Sequence, residues 1–161
     1  MAQRVETRDD GAAKTPPRPL WFLLTAWVLT LAGLGISIYM TISHFDKDSL
    51  VCSSGKTLDC HAVTSSKYSE LLGIPVPILG LAFFVGFAVL VSPQALRSEL
   101  PLLRWGRLAS VSVGVLFVAY LMSAEFVLGK ICTWCTAVHG ITILLFVLVL
   151  FDEFRRIGQI D

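Results

Sequence analysis

The chain has 161 residues, 55% of them hydrophobic and 16% charged, an apolar share above that of an ordinary soluble domain. A net charge of +1, with no basic stripe interleaved with aromatic residues, excludes a nucleic-acid surface and gives no reason to expect a polyanionic partner. These features indicate an integral membrane protein.

Residues 1–19 mix four basic with three acidic residues and end in Thr15-Pro16-Pro17-Arg18-Pro19. Such a composition cannot bury enough apolar area to fold alone, so a disordered tail is expected. Residues 20–42 carry no charge, a run long enough for about 30 Å of hydrocarbon. A cleavable signal peptide would have an apolar core roughly half as long. Residues 43–73 form a polar connection that holds Cys52, Cys60, three lysines and Ser65-Ser66. Within it, residues 62–72 are expected to make a short helix capped by Asp59 and stopped by Gly73.

A second spanning run, residues 74–96, opens on Ile74-Pro75-Val76-Pro77. Prolines are tolerated in a first turn, whose N–H groups lack helical partners anyway. Residues 94–106 read as a turn, and residues 108–124 as a third span between Arg107 and Glu125. Ala82 and Gly86 form a small-xxx-small pair of the kind that lets membrane helices approach closely. Gly129-Lys130 breaks the pattern before Cys132-Thr133-Trp134-Cys135, which heads a fourth run to Phe151 with His139 as its only ionisable residue. A short polar tail, residues 152–161, follows. The expected fold is all-α, an integral membrane four-helix bundle spanning residues 20–151, with an outer loop that contains a short helix.

Four spans put both termini and the middle turn on one side of the bilayer. That side carries four basic residues in the N-terminal tail, three around the turn and two at the C-terminus, nine of the thirteen in the chain. The termini are therefore expected to be cytoplasmic, in a cell inner membrane, with both cysteine pairs on the outer face. Cysteines in that position suit an oxidising compartment. A zinc site of four thiolates is disfavoured, because a seven-residue gap between Cys52 and Cys60 is unusual among zinc ligands.

Helical geometry sets Cys132, Cys135 and His139 along one face. A cysteine in the first turn of a helix lies near unpaired N–H groups, which favour the reactive thiolate. Cys52 and Cys60, in a polar loop, are within reach of a protein partner, whereas Cys132 and Cys135 stand at the edge of the apolar phase, where a lipid-soluble acceptor can approach. The chain has no haem, flavin or nucleotide motif, so the expected two-electron acceptor is a quinone, either ubiquinone or menaquinone. An ionisable group inside a span tends to be functional, which marks His139 for contact with the quinone or with the Cys135 sulfur. Glu125 reads either as a proton-trading group or as a partner of Lys130, and Trp134 as an interfacial anchor.

Taken in order, Cys52-x7-Cys60, Ser65-Ser66, Leu72-Gly73-Ile74-Pro75-Val76-Pro77 leading to Gly80, and Cys132-x-x-Cys135 resemble the vitamin K epoxide reductase family, and within it the bacterial disulfide-forming branch. The resemblance covers residues 20–151. It implies a helical bundle around a quinone pocket, with Cys52 exchanging with an exported thioredoxin-like oxidoreductase, Cys60 passing electrons to Cys132, and Cys135 acting as the thiolate beside the quinone. It also implies Ser66 near the active site. No thioredoxin-like domain is legible in these residues, so the partner is expected to be a separate protein. The vertebrate enzyme has a tyrosine where this chain has His139, which argues against epoxide reduction as the physiological reaction. A second quinone-linked family of disulfide-forming proteins has its close cysteine pair in the first outer loop, the reverse of the order here. The non-enzymatic alternative is a four-span protein whose disulfides only staple its outer loops. Membrane-impermeant thiol labelling of the reduced protein should reach positions 52, 60, 132 and 135 from one and the same compartment; labelling from opposite sides would overturn this topology.

Overall fold

The computed structural model describes residues 18–52, 56–98 and 100–158. Apart from Arg18 and Pro19, the N-terminal tail read from the sequence lies outside them. Among the described residues, three helices are long and apolar enough to cross a membrane: α1 (Leu20–Phe45), α5 (Pro101–Leu128) and α6 (Thr133–Ile157). A shorter apolar helix, α3 (Val76–Leu90), joins them. Helix α1 packs against α3 and α6, and α5 against α6 and α3, which closes a four-helix bundle. The protein is an all-α, multi-pass membrane protein.

Its core is a cluster around Phe84, Phe87, Val111 and Leu145, all essentially inaccessible. The helices come close where a glycine faces a ring. A Cβ at Gly33 on α1 would collide with the Phe84 ring, and one at Gly114 on α5 would press on Thr142 and Phe83. The Ala82–Gly86 pair plays no such part, since both residues are exposed on α3 and Gly86 meets nothing. Small residues allow close approach only where a neighbouring helix is present to use it.

The elements differ from the sequence reading at four places, each for a physical reason. The second run stops at Leu90 rather than at residue 96, because Ser92-Pro93 starts a new short helix, α4 (Pro93–Arg97), with the Ser92 hydroxyl accepting from the Ala95 amide. The supposed turn at residues 94–106 is largely helical, α5 beginning at Pro101, since Arg104 pairs with the buried Glu153 and Arg107 is satisfied inside the bundle. Arg107 is buried and donates to the carbonyls of Leu90 and Ala95. At the same end, α6 runs through Asp152 and Glu153 to Ile157 because both carboxylates are paired, Asp152 with Arg18 at 2.8 Å and Glu153 with Arg104.

The fourth difference lies in the long loop. Asp59 caps as expected, its carboxylate accepting from the Ala62 amide, but the helix it starts is α2 (Cys60–Thr64), not residues 62–72. The Ser65 amide and the Ser66 hydroxyl take the last carbonyls of α2, and the chain then turns into a two-stranded hairpin, β1 (Glu70–Leu71) and β2 (Ile74–Pro75). Leu72 and Gly73 at its tip both have positive φ, 54° and 79°, the geometry that a two-residue hairpin turn requires. Gly33→Ala should lower the unfolding free energy by about 1–3 kcal/mol through overpacking against Phe84. Gly86→Ala, which meets open space, should leave it unchanged or raise it, and denaturant unfolding in detergent micelles would read both.

Candidate functional site

The site is assembled at the loop end of the bundle around a backbone seam between the loop and the start of α6. The Asp59 amide donates to the Ile131 carbonyl at 3.1 Å and the Ile131 amide to the Thr57 carbonyl at 2.9 Å, a short parallel bridge centred on Leu58 and Ile131. Cys60 and Cys132 follow directly on the two sides of this seam. Both are fully buried in one cluster with Met40 and Leu50, against which Cys52, Trp134 and Cys135 also pack. Lys130 supports the seam with bonds to Asp59 at 3.8 Å and to the Lys56 carbonyl at 3.1 Å.

Cys52 and Cys60 are joined by a disulfide, whereas Cys132 and Cys135 are free thiols. The sequence reading did not anticipate that Cys132 is itself the N-cap of α6, its Sγ accepting from the Cys135 amide at 3.3 Å. The Cys132 pKa is lowered, first by the hydrogen bond from the Cys135 thiol and then by backbone donors from Cys135 and Trp134, which together outweigh burial and the nearby Glu125 charge. Glu125, at the end of α5, accepts from the Cys132 amide at 3.2 Å. Lys130 binds Asp59 instead, so the expected Glu125–Lys130 pair is replaced by one that ties the loop down.

Two connected cavities open beyond Cys135. The smaller, about 60 Å³, is walled by Ser43, Ser66, Tyr68, Glu125, Cys135 and His139. The larger, about 300 Å³, runs into the bundle between Leu79, Phe83, Phe84, Phe117 and Leu121 and shares Cys135 and His139 with the first. His139 is 5% exposed, and its Nε2 has no hydrogen-bond partner among the described residues. A buried imidazole nitrogen left unpaired is costly unless something else bonds to it. Ser66 reaches the smaller cavity, but its hydroxyl donates to the Val63 carbonyl and accepts from the Tyr68 amide, so it also shapes the turn after α2.

Of the sequence-selected residues, the fold therefore gathers all four cysteines into one cluster and sets Cys135, with His139 and Ser66, also at the cavities. The expected common face is divided in use, since Cys132 packs with Cys60 and Cys135 opens on the cavity. Among the described residues no group of histidine, cysteine, aspartate or glutamate is arranged to hold a metal ion. Residues 24–150 match the model of the vitamin K epoxide reductase family.

The chain belongs to that family. The match takes in all four cysteines, His139, Ser66 and every element that walls the cavities. Sequence reasoning missed Tyr39, whose hydroxyl holds the segment before Cys52 from within α1, as apolar helix periodicity says nothing about such a contact. On titration of the reduced protein followed by thiolate absorbance, the first step should fall below the ordinary thiol range. Cys135→Ala should move that step upward, because it removes the donor that stabilises the Cys132 thiolate; a step that stays in place would overturn the assignment.

Proposed function

We propose that this protein is a membrane thiol–disulfide oxidoreductase that passes two electrons from an exported thioredoxin-like dithiol, through Cys52/Cys60 and then Cys132/Cys135, to a membrane quinone, and so supports disulfide formation. The carrying observation is the shared burial of Cys60 and Cys132 on one side of the motif, with Cys135 open to an apolar cavity on the other. Support for a quinone comes from the cavity's size and aromatic walls and from the unpaired His139 Nε2 at its neck, which suits a polar oxygen in an otherwise greasy site. When bound, a quinone supplies a two-electron, two-proton acceptor.

The protein's own residues account for the rest. A reduced partner attacks the half-buried Cys52, giving a mixed disulfide and freeing Cys60; the partner's second thiol then releases Cys52 and leaves the partner oxidised. The loop dithiol next reduces the Cys132–Cys135 disulfide by exchange, Cys60 attacking Cys132. Cys135 is then the sulfur facing the acceptor, with His139 bonding the acceptor's oxygen and Ser66 closing the loop side. Re-formation of the Cys132–Cys135 disulfide releases two electrons and two protons, which balances quinone reduction. In a cell the proposed reaction calls for an inner-membrane protein with termini cytoplasmic and the cysteines outside, as the distribution of basic residues also favours.

Cys135→Ala should lower quinone reduction by more than about a thousandfold, since one of two thiols that act as a unit is lost. Cys52→Ala should block turnover with a reduced thioredoxin-like protein and spare turnover driven by a small dithiol. Quinone absorbance followed with both donors checks this, and normal quinone turnover by Cys135→Ala would sink the reading.

A further inference from the structure

The stretch leading into Cys52 is held in a way that the relay above does not by itself require. The Tyr39 hydroxyl on α1 accepts from the Val51 amide at 2.7 Å and donates to the Ser49 carbonyl at 3.2 Å. The indole N–H of Trp134, which sits between the two motif cysteines, donates to the Val51 carbonyl at 2.9 Å. The Tyr39 and Trp134 rings lie against each other, with centroids 4.9 Å apart. Between these anchors the Leu50 side chain is 8% exposed and packs into the cluster that contains Cys60 and Cys132, while Val51 itself is 76% exposed. A side chain that far out does not hold its own backbone in place, so the Val51 amide and carbonyl are held instead by Tyr39 and Trp134.

We propose that Tyr39 and Trp134 are positioning residues that clamp Ser49–Val51 and thereby keep Cys52 beside Cys60 while the Cys52–Cys60 bond is open. The inference rests on the relay reading and adds the element that makes its internal step complete. In that step the Cys60 thiolate attacks Sγ of Cys132 in the Cys132–Cys135 disulfide; the Cys60–Cys132 bond forms and Cys135 leaves as thiolate. The Cys52 thiolate then attacks Sγ of Cys60; the Cys52–Cys60 bond forms and Cys132 leaves as thiolate. Two electrons pass from the loop pair to the motif pair, and the two protons given up by the loop thiols equal the two taken up by the motif thiolates.

In the intermediate, Cys60 is held covalently to Cys132 and by the seam through Leu58. Cys52 has lost its covalent tie and would swing free on the chain. The clamp keeps its concentration at Cys60 high, which favours completion over the stalled mixed disulfide. Because one half of the clamp is carried by the residue between Cys132 and Cys135, the segment is held at the motif itself.

The test uses the full chain with Cys135→Ser, where Cys60 pairs with either Cys52 or Cys132 and the remaining thiol stays free. The ratio of the two isomers, equilibrated in glutathione buffer, alkylated and mapped by peptide mass, measures the hold on Cys52. Tyr39→Phe keeps its ring, Trp134→Phe keeps a smaller aromatic ring in place of the indole, and both remove the hydrogen bonds. Combined, they should raise the share of Cys60–Cys132 relative to Cys52–Cys60 by about tenfold, the fall in effective concentration expected when the segment that holds Cys52 at Cys60 is freed. An unchanged ratio overturns the clamp, and so does a fall in thermal stability with the ratio unmoved, which marks a purely structural role. The relay itself is read separately: if Cys52→Ser with Cys135→Ser, clamp intact, forms no Cys60–Cys132 bond, the internal exchange falls and the clamp with it.

Discussion

The short backbone seam between Thr57–Asp59 and Ile131 is the contact on which the rest of the site depends. Two N–H···O bonds fix a polar loop to the entrance of a membrane helix, and the residues immediately beyond them are Cys60 and Cys132. Side-chain packing alone would leave sulfur positions loose by rotamer freedom, whereas backbone pairing sets the register of both chains at once. Everything near it serves the same alignment: Lys130 bonded across to Asp59, Asp59 capping α2, and Glu125 taking the Cys132 amide. The first turn of α6 then makes Cys132 both helix cap and thiol, so local helix physics and sulfur reactivity are properties of one atom.

Away from the sulfur cluster, the bundle is organised by contrast between its ends. The loop end is held by hydrogen bonds and a disulfide. The opposite end is held by charge: Arg18 with Asp152 and the Leu96 carbonyl, Arg104 with Glu153, and Arg107 capping α3 and α4. Buried carboxylates and guanidinium groups persist only when mutually satisfied, and these pairs let α5 and α6 extend beyond their apolar cores. Between the two ends, Gly33 and Gly114 bring α1 and α5 close to the phenylalanines of α3.

The sequence made the broad architecture legible because uncharged runs of membrane length are a strong signal, and it made the four cysteines legible because their order and spacing are distinctive. His139 was readable for the same reason, as the one ionisable group in an otherwise uncharged run. What escaped was set by partners far away in sequence. Arg104 and Arg107 look like turn residues until Glu153 and two free carbonyls are brought to them. Residues 62–72 look helical until Ser65 and Ser66 consume the carbonyls that a longer α2 would need, and the Leu72–Gly73 tip then takes the left-handed conformation of a hairpin. Trp134 looked like an interfacial anchor because its bond to the Val51 carbonyl joins positions 83 residues apart.

The division of the motif has a chemical consequence of its own. Cys132 looks inward to the loop sulfurs and Cys135 looks outward to the greasy chamber, with one turn of helix between the two directions. For an electron carrier, such a partition acts as insulation. In the relay proposed above, the route from the loop sulfurs to the chamber runs through Cys132 and then Cys135, which would keep a water-borne reductant apart from a lipid-borne oxidant.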